Sequence, residues 1–353
     1  MRGGRRTEPG ARIDGVLLLD KPRALSSNQA LVRVRRLFGA AKGGHGGTLD
    51  PLATGLLPLA FGEATKFLHD LLQADKSYEA LFALGARTST GDAEGELLES
   101  RPVQASDAEI AAACAGFVGE IEQVPPMHSA LKRDGRPLYA YARAGTSVER
   151  KARPVRIHAL EPIEIRRGQA SQGCGLGIVP VTVRVRVHCS KGTYVRVLAE
   201  DLGARLGCGA HLAELRRTGV GRLRIEDAVS LEALEACAPP ARSALLAPID
   251  ALLETLPRID LPEDSARRFM HGQRLALPEP VPVAVRGGST ARVERCDRPD
   301  SQVLQVRVYC AQRLLGVARF TPPALLAPVR LVACAEAAPR AAAAPPIRPE
   351  GRA

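Results

Sequence analysis

The chain has 353 residues, enough for one large domain or two, and its 45% hydrophobic content excludes an intrinsically disordered protein. A net charge of +11 with 3% aromatic residues indicates a polyanionic partner, either nucleic acid or an acidic membrane surface. Eight cysteines without a C-x-x-C pair argue against a zinc ribbon or a disulfide framework, and no apolar run reaches about 18 residues. We therefore expect a cytoplasmic protein that does not enter the membrane.

Helix and strand patterns follow one another without a regular β–α–β rhythm, which favours a mixed α+β domain over a doubly wound one. Ser26 or Ser27 is placed to cap a helix that ends at Phe38. Strict apolar–polar alternation predicts a half-buried strand with a basic outer face. In chain order we predict a basic disordered arm (1–12), strand 15–19, the helix ending at 38, helix 64–71, strand 78–84, helix 107–118, the alternating strand 181–187 and helix 193–206.

A proline- and alanine-rich stretch over residues 238–248, followed by Pro257, indicates a domain boundary. Beyond it, short β-like runs predict a small β-rich domain over residues 251–335; the runs are 281–285, 303–309 and 313–320. The larger domain is predicted to span residues 13–250. A tail of Ala, Pro and Arg over residues 336–353 is predicted to be disordered.

One acidic residue, Asp50, follows a glycine-rich stretch over residues 43–47 and lies among leucines, including Leu49 and Leu52. The glycines allow unusual backbone angles and close approach of a ligand. We expect the carboxylate to be partly buried, where an unpaired charge is costly, so it should have a partner or a chemical role. The alternative is an ordinary loop in which Asp50 caps the next helix.

Residues 132–156 carry eight basic side chains against two acidic ones, a net charge of +6. Tyr139 and Tyr141 lie within this basic segment. Cations for phosphates and rings for unstacked bases are what contact with RNA requires. The alternative is a solvated helix face whose arginine stems cover apolar surface.

Several motifs, taken in order, resemble those of the TruB-type pseudouridine synthases, the bacterial tRNA pseudouridine-55 synthases. They are LLDKP (18–22), GHGGTLDPLATG (44–55), KSYE (76–79), PPMHSALK (125–132), CSKGTYVR (189–196) and GAHLAELRR (209–217). The resemblance extends over residues 13–235 and implies a mixed β-sheet catalytic domain with a basic insertion at 125–155 and a small PUA-like C-terminal domain. The chain departs from the family pattern at Ala24, where glycine is common, and at Gly47, where threonine is common.

The resemblance implies isomerisation of uridine-55 in the T-arm of tRNA, with breakage of N1–C1′, rotation of the base and bonding of C5 to C1′. Asp50 would be the nucleophile, attacking either the sugar or the base, and Arg196 would pair with it and keep it ionised. No metal or cofactor is implied, in keeping with the absence of metal-ligand spacing and of a phosphate-binding loop motif.

The resemblance also implies a set of substrate contacts. Tyr78 would stack on the flipped-out uracil and assist removal of the C5 proton, with Tyr194 and Leu215 completing the wall of the base pocket. His45 would enter the T-loop in place of the extruded nucleotide. The basic insertion would close over the T-arm, and the RNA backbone would be contacted by Lys132, Arg133, Arg136, Arg143 and Arg153.

Two other interpretations stay open. The chain could be a tRNA-binding RNA chaperone with an idle site, against which the presence of Asp50, Tyr78 and Arg196 argues. It could instead be a guide-RNA-dependent pseudouridine synthase subunit, but the basic insertion and the small appendage favour the stand-alone bacterial type. A monomer that needs no protein partner is expected.

Overall fold

The computed structural model describes residues 12–129, 131–146, 148–168, 181–278, 282–284, 290–292, 303–321 and 324–333. Residues 1–11 of the predicted basic arm and the whole predicted tail lie outside this set, as do residues 281 and 285. Two compact units divide between Thr255 and Leu256.

The first unit combines strands and helices throughout its length. Its strands are β1 (Gly15–Lys21), β2 (Gly43–His45), β3 (Thr54–Phe61), β4 (Lys76–Leu84), β5 (Ala86–Thr88), β6 (Leu97–Ser100), β7 (Gly119–Gln123), β8 (Lys132–Arg133), β9 (Arg136–Pro137), β10 (Arg153–Arg167), β11 (Val181–Cys189), β12 (Ala210–Val220), β13 (Leu223–Arg224) and β14 (Val229–Ser230). Its α-helices are α1 (Ser27–Phe38), α2 (Leu68–Leu72), α3 (Asp107–Ala115), α4 (Leu138–Arg143), α5 (Val195–Arg205), α6 (Leu231–Ala236) and α7 (Pro239–Arg242). Short 3₁₀ helices lie at Gly62–Phe67, Ile225–Asp227, Ser243–Leu245 and Ile249–Leu253.

Ten strands of the described chain form the main sheet, in the order β14-β1-β3-β12-β4-β11-β10-β7, with β2 added to β3 and β13 added to β12. Two neighbouring pairs are parallel, β1 with β14 and β3 with β12, and the others are antiparallel. The alternation in β11 buries Val183, Val185 and Val187 completely, which is why this strand could be predicted from its sequence. The predicted mixed sheet is confirmed.

Helix α1 begins where its capping residues predict. Ser26 forms a capping box with Gln29, whereas Ser27 is buried and exchanges hydrogen bonds with the backbone of Leu49 at 2.7 and 3.1 Å. Of the two cap candidates, Ser26 is therefore the cap, and Ser27 anchors the loop that carries Asp50.

Several predicted boundaries differ from the structure. Helix α3 ends at Ala115 rather than 118, because Gly116 caps it, and α5 begins at Val195 rather than 193. The predicted helix over 64–71 is helical but of two types: residues 64–67 belong to the 3₁₀ helix Gly62–Phe67, and residues 68–71 belong to α2.

The second unit, taken by itself, is β-rich. Its elements are β15 (Arg258–Asp260), α8 (Glu263–Met270), β16 (Leu275–Ala276), β17 (Pro282–Ala284), β18 (Thr290–Arg292), β19 (Leu304–Cys310), β20 (Arg313–Thr321) and β21 (Leu325–Leu331). Among the described residues, one sheet runs β16-β21-β20-β19-β15-β17-β18. Phe269 and Phe320 are buried in its core. The predicted β-rich C-terminal domain is confirmed.

No helix within the described residues is long and apolar enough to cross a membrane.

Candidate active site

A carboxylate–guanidinium pair joins the loop after β2 to the start of α5. Asp50 follows β2 in a loop, and Arg196 is on the first turn of α5; Arg196 Nη2 lies 3.0 Å from Asp50 Oδ2. The Arg196 side chain is 6% exposed, whereas that of Asp50 is 39% exposed. The guanidinium is therefore a fixed, buried partner, and the carboxylate retains a face on which a ligand can approach.

Arg196 also contacts a second carboxylate that sequence reasoning did not identify. Its Nη1 lies 3.6 Å from Oδ2 of Asp92, whose side chain is 5% exposed. The same guanidinium donates hydrogen bonds to the carbonyl oxygens of Thr90 at 3.2 Å and His128 at 2.6 Å. Asp92 accepts from Thr90 Oγ1 at 2.6 Å and from the backbone N–H of Glu94 at 3.1 Å. This network fixes the position of the guanidinium on both sides.

Opposing influences act on the Asp50 carboxylate. Burial raises the pKa of Asp50, and the nearby Asp92 charge raises it further, whereas Arg196 and Lys21 lower it. Lys21 is fully buried and donates to the carbonyl oxygens of Pro22 and Leu25 at 2.9 and 2.7 Å. Burial lowers the pKa of Lys21 to about 8, against the influence of Asp50. Lys21, to which sequence reasoning assigned no role, thus contributes positive charge near the carboxylate.

On one side of Asp50 lies a cavity of about 480 Å³, here called the tyrosine cavity. Its lining includes Tyr78, Tyr194 and Leu215, so the three residues predicted to form a base pocket are brought together beside Asp50. Burial raises the pKa of Tyr78 to about 12. The two phenol rings and Leu215 offer flat and apolar surface to a ring, and charged side chains also line the cavity; they are Asp50, Lys76, Arg196 and Arg217.

On the other side of Asp50 lies a cavity of about 540 Å³, here called the histidine cavity. His45, Tyr139 and Arg143 line it together with Asp50. Burial lowers the pKa of His45, which favours the neutral imidazole. Of the residues predicted to contact RNA, His45 and Arg143 therefore lie close to the carboxylate.

The basic segment 132–156 is a short hairpin, β8–β9, followed by α4 and by the start of β10. Two of its arginines stack on its tyrosines: Arg136 on Tyr141 at 5.0 Å and Arg143 on Tyr139 at 5.4 Å from the ring centroid. Of this segment, residues 138–143 are helical, so a solvated helix face could describe only part of it. The five residues predicted to contact the RNA backbone are all exposed; they are Lys132, Arg133, Arg136, Arg143 and Arg153.

A second buried arginine, Arg217, was also missed. It lies on β12 directly across from Tyr78 on β4, is 1% exposed, and lines the tyrosine cavity. The sequence places it in a motif next to Arg216, but nothing in that motif shows which of the two points inward. Strand register alone distinguishes them.

Among the described residues, no cluster of three or more His, Cys, Asp or Glu side chains has the geometry to hold a metal ion.

Two solved structures share this architecture. A Cbf5-Nop10-Gar1 complex contains a chain that is 24% identical, with a TM-score of 0.65, covering 90% of this chain and 85% of that one. An archaeal box H/ACA sRNP Nop10-Cbf5 complex matches at 23% identity with a TM-score of 0.63, covering 90% and 86%. This chain therefore has the mixed-sheet fold of the matching chains in those two complexes.

Family models and relatives give the assignment within that fold. The TruB family pseudouridylate synthase N-terminal domain matches residues 35–195, the tRNA pseudouridylate synthase B C-terminal domain matches 196–254, and the pseudouridine synthase II TruB C-terminal model matches 257–332. Proteins called tRNA pseudouridine synthase B are 55% identical in Ralstonia nicotianae, over 92% of this chain and 96% of that protein, and 57% identical in Burkholderia mallei, over 91% and 97%. The chain belongs to the TruB family of pseudouridylate synthases, and the predicted resemblance is confirmed.

Proposed function

We propose that this enzyme isomerises uridine-55 in the T-arm of tRNA to pseudouridine. Its relatives in Ralstonia nicotianae and Burkholderia mallei carry the name tRNA pseudouridine synthase B, which supports tRNA as the substrate. The observation that carries the mechanism is the Asp50 carboxylate, held 3.0 Å from a buried guanidinium and open to the tyrosine cavity. A tRNA substrate implies a cytoplasmic enzyme.

Asp50 is the proposed nucleophile. Its ionised carboxylate forms a covalent bond to the nucleotide, at the sugar or at the base, and this bond breaks again when the isomer is released. Between these events the N1–C1′ bond breaks, the base rotates and C5 bonds to C1′. Arg196 stabilises the charged carboxylate and fixes its direction, because its own position is set by Asp92 and two backbone carbonyls.

The tyrosine cavity is the proposed site of the flipped uracil. Tyr78 stacks on the base, Tyr194 and Leu215 form the remaining wall, and the Tyr78 phenol assists removal of the C5 proton after the new bond forms. Removal of that proton leaves the C5–H electron pair in the ring and restores the C5–C6 double bond. The step is the last that the isomerisation requires.

The histidine cavity and the basic segment are the proposed contacts with the rest of the T-arm. Extruding a nucleotide costs a few kcal/mol in lost stacking and pairing, and an imidazole that occupies the vacated position offsets part of this cost. His45 lines the histidine cavity together with Asp50, and burial favours its neutral form, which supports this proposed role. The exposed arginines and lysine of the basic segment neutralise backbone phosphates, so affinity for the T-arm should fall with added salt.

The test is the purified chain alone with an unmodified tRNA transcript, followed by a pseudouridine-specific chemical label and mapping of the labelled position. Conversion at position 55 without guide RNA or a protein partner is expected. A transcript with cytidine at position 55 is the matched control and should give no label. Binding of tRNA without conversion would favour the chaperone, and conversion only with added guide RNA would favour the guide-dependent subunit.

A further inference from the structure

Arg217, on β12, is a buried cation. Its side chain is 1% exposed, and no carboxylate of the described residues lies within ion-pairing distance. A buried charge without a counter-ion is costly, so its presence requires a reason. The neighbouring Arg216 shows the ordinary solution, a two-pronged pair with Asp20 at 3.1 and 2.7 Å at the half-exposed surface of β12.

The Arg217 guanidinium donates to two carbonyl oxygens from two parts of the site and lies beside Tyr78. Nε donates to the carbonyl oxygen of Leu56 on β3 at 2.7 Å, and Nη2 donates to that of Gly47, in the loop leading to Asp50, at 3.3 Å. Tyr78 lies directly across from Arg217 in the β4–β12 pair, and both residues line the tyrosine cavity. The guanidinium thus links the loop leading to Asp50 with β3, beside the proposed base.

The backbone at Arg217 on β12 lies very close to that of Gly55 on β3. Gly55 pairs with Arg217 in the parallel β3–β12 ladder at φ +101°, and a Cβ there would lie 2.3 Å from the carbonyl oxygen of Arg217. Only a residue without a side chain lets the two strands meet at this distance. The position of Arg217 is therefore set by the main chain as well as by its own hydrogen bonds.

We propose that Arg217 is a positioning residue for Tyr78: it holds the phenol oxygen at the uracil and supplies the positive charge that stabilises the phenolate which accepts the C5 proton. This inference rests on the proposed function. The phenol first loses its own proton to water, the phenolate then takes the C5 proton, and the C5–H electron pair returns to the ring. The phenol is thereby restored.

The charges that face the Tyr78 phenol support this assignment. Burial raises the pKa of Tyr78, and Cys189 on β11 and Asp50 act in the same direction, whereas the positive charge of Arg217 opposes all three. Lys76, two residues from Tyr78 on β4, has a pKa lowered to about 8 by burial and next by Arg217. The permanent charge of a guanidinium is thus the group best suited to stabilise a phenolate here.

The first test measures the ionisation of residue 78 directly and needs no RNA. Tyr78 is replaced by a fluorinated tyrosine whose phenol ionises at lower pH, and its ¹⁹F signal is titrated in the full chain. Arg217→Gln should raise the midpoint by about one pH unit or more, because a cation in contact is removed, whereas Arg217→Lys should restore most of the difference. Arg216→Gln is the matched control and should leave the midpoint unchanged.

An unchanged midpoint in Arg217→Gln would overturn the inference. So would equal shifts with Gln and Lys, because the backbone contacts rather than the charge would then be responsible. The titration needs no substrate, so it is independent of the proposed function. If the proposed function were wrong, the wild-type chain would fail to convert tRNA even though the titration midpoint of residue 78 depended on Arg217.

A kinetic cycle tests whether Arg217 acts through Tyr78. In single-turnover conversion of T-arm RNA, Arg217→Lys should slow the wild-type enzyme but have no further effect in a Tyr78→Phe background. This measurement stands even if the Gln variant does not fold. Losses that multiply in the double variant would show that Arg217 acts independently of Tyr78 and would overturn the assignment.

Discussion

Replacement of Arg196 by glutamine should destabilise the protein and inactivate it for two separable reasons. The change removes the partner of Asp50, and it also leaves the buried carboxylate of Asp92 without a cation. Activity depends on the first contact, and stability depends mainly on the second, because Asp50 is 39% exposed and can be solvated.

The stability loss can be scaled from the surroundings of Asp92. Removing one partner of a buried ion pair costs about 3–5 kcal/mol. Asp92 is 5% exposed but keeps two hydrogen bonds, from Thr90 Oγ1 and the Glu94 N–H, so the lower end applies. About 3 kcal/mol corresponds to a fall in Tm of roughly 6–12 °C for a domain of this size.

The assay compares Arg196→Gln, Asp92→Asn and the double variant by denaturant unfolding and by single-turnover conversion of T-arm RNA. The double variant should regain most of the lost stability, since the unpaired charge is gone, but should stay inactive because Asp50 still lacks its guanidinium. A double variant no more stable than Arg196→Gln, or one that regains activity, would refute this division of roles.

Three further outcomes are expected. Tyr78→Phe should reduce the single-turnover rate far more than the affinity for T-arm RNA. Equal losses of rate and affinity would mean that Tyr78 only binds the base and takes no part in proton removal. Asp92→Asn should extend activity to lower pH, because it removes a negative charge that raises the pKa of Asp50, so Asp50 stays ionised at lower pH. If the acidic side of the pH–rate profile does not move, Asp92 does not influence the ionisation of Asp50. Gly55→Ala should strongly lower the free energy of unfolding measured in urea, because its Cβ would lie 2.3 Å from a backbone oxygen. Gly145→Ala, also at positive φ but with nothing within 4 Å of the added Cβ, should lower it by only about 1–2 kcal/mol. Equal losses of unfolding free energy would contradict the role of close packing at Gly55.

Much of the fold followed from local patterns, and what was missed depends on long-range pairing. The alternating strand β11 and the capping box of α1 carry their signals within a few residues. Strand β3 was missed because its mostly apolar sequence, which also contains Gly55 and Pro58, shows no two-residue alternation. It becomes a strand by pairing with its neighbours in the sheet, β1 and β12. Strands β10 and β12 were missed as well, and both contain register irregularities that break a simple alternation.

The residues of the candidate site also separate into those that local sequence could suggest and those that depend on long-range contacts. Asp50 could be proposed from the cost of a carboxylate among leucines, and Arg196, Tyr78, Tyr194 and Leu215 from motif resemblance. Arg217 and Asp92 were not found, because each becomes informative only through what lies beside it in space. No spacing along the chain shows that β4 and β12 are neighbours, or that Asp92 lies beside Arg196, 104 residues further along the chain.

Asp50→Asn tests the central claim most directly. The substitution keeps size and hydrogen-bonding capacity but removes the charge that makes the side chain a nucleophile. The variant should bind T-arm RNA with nearly the wild-type Kd and form no pseudouridine in single-turnover conditions, while its thermal unfolding shows an intact fold. Pseudouridine formed by Asp50→Asn at a rate near that of the wild type would exclude Asp50 as the nucleophile.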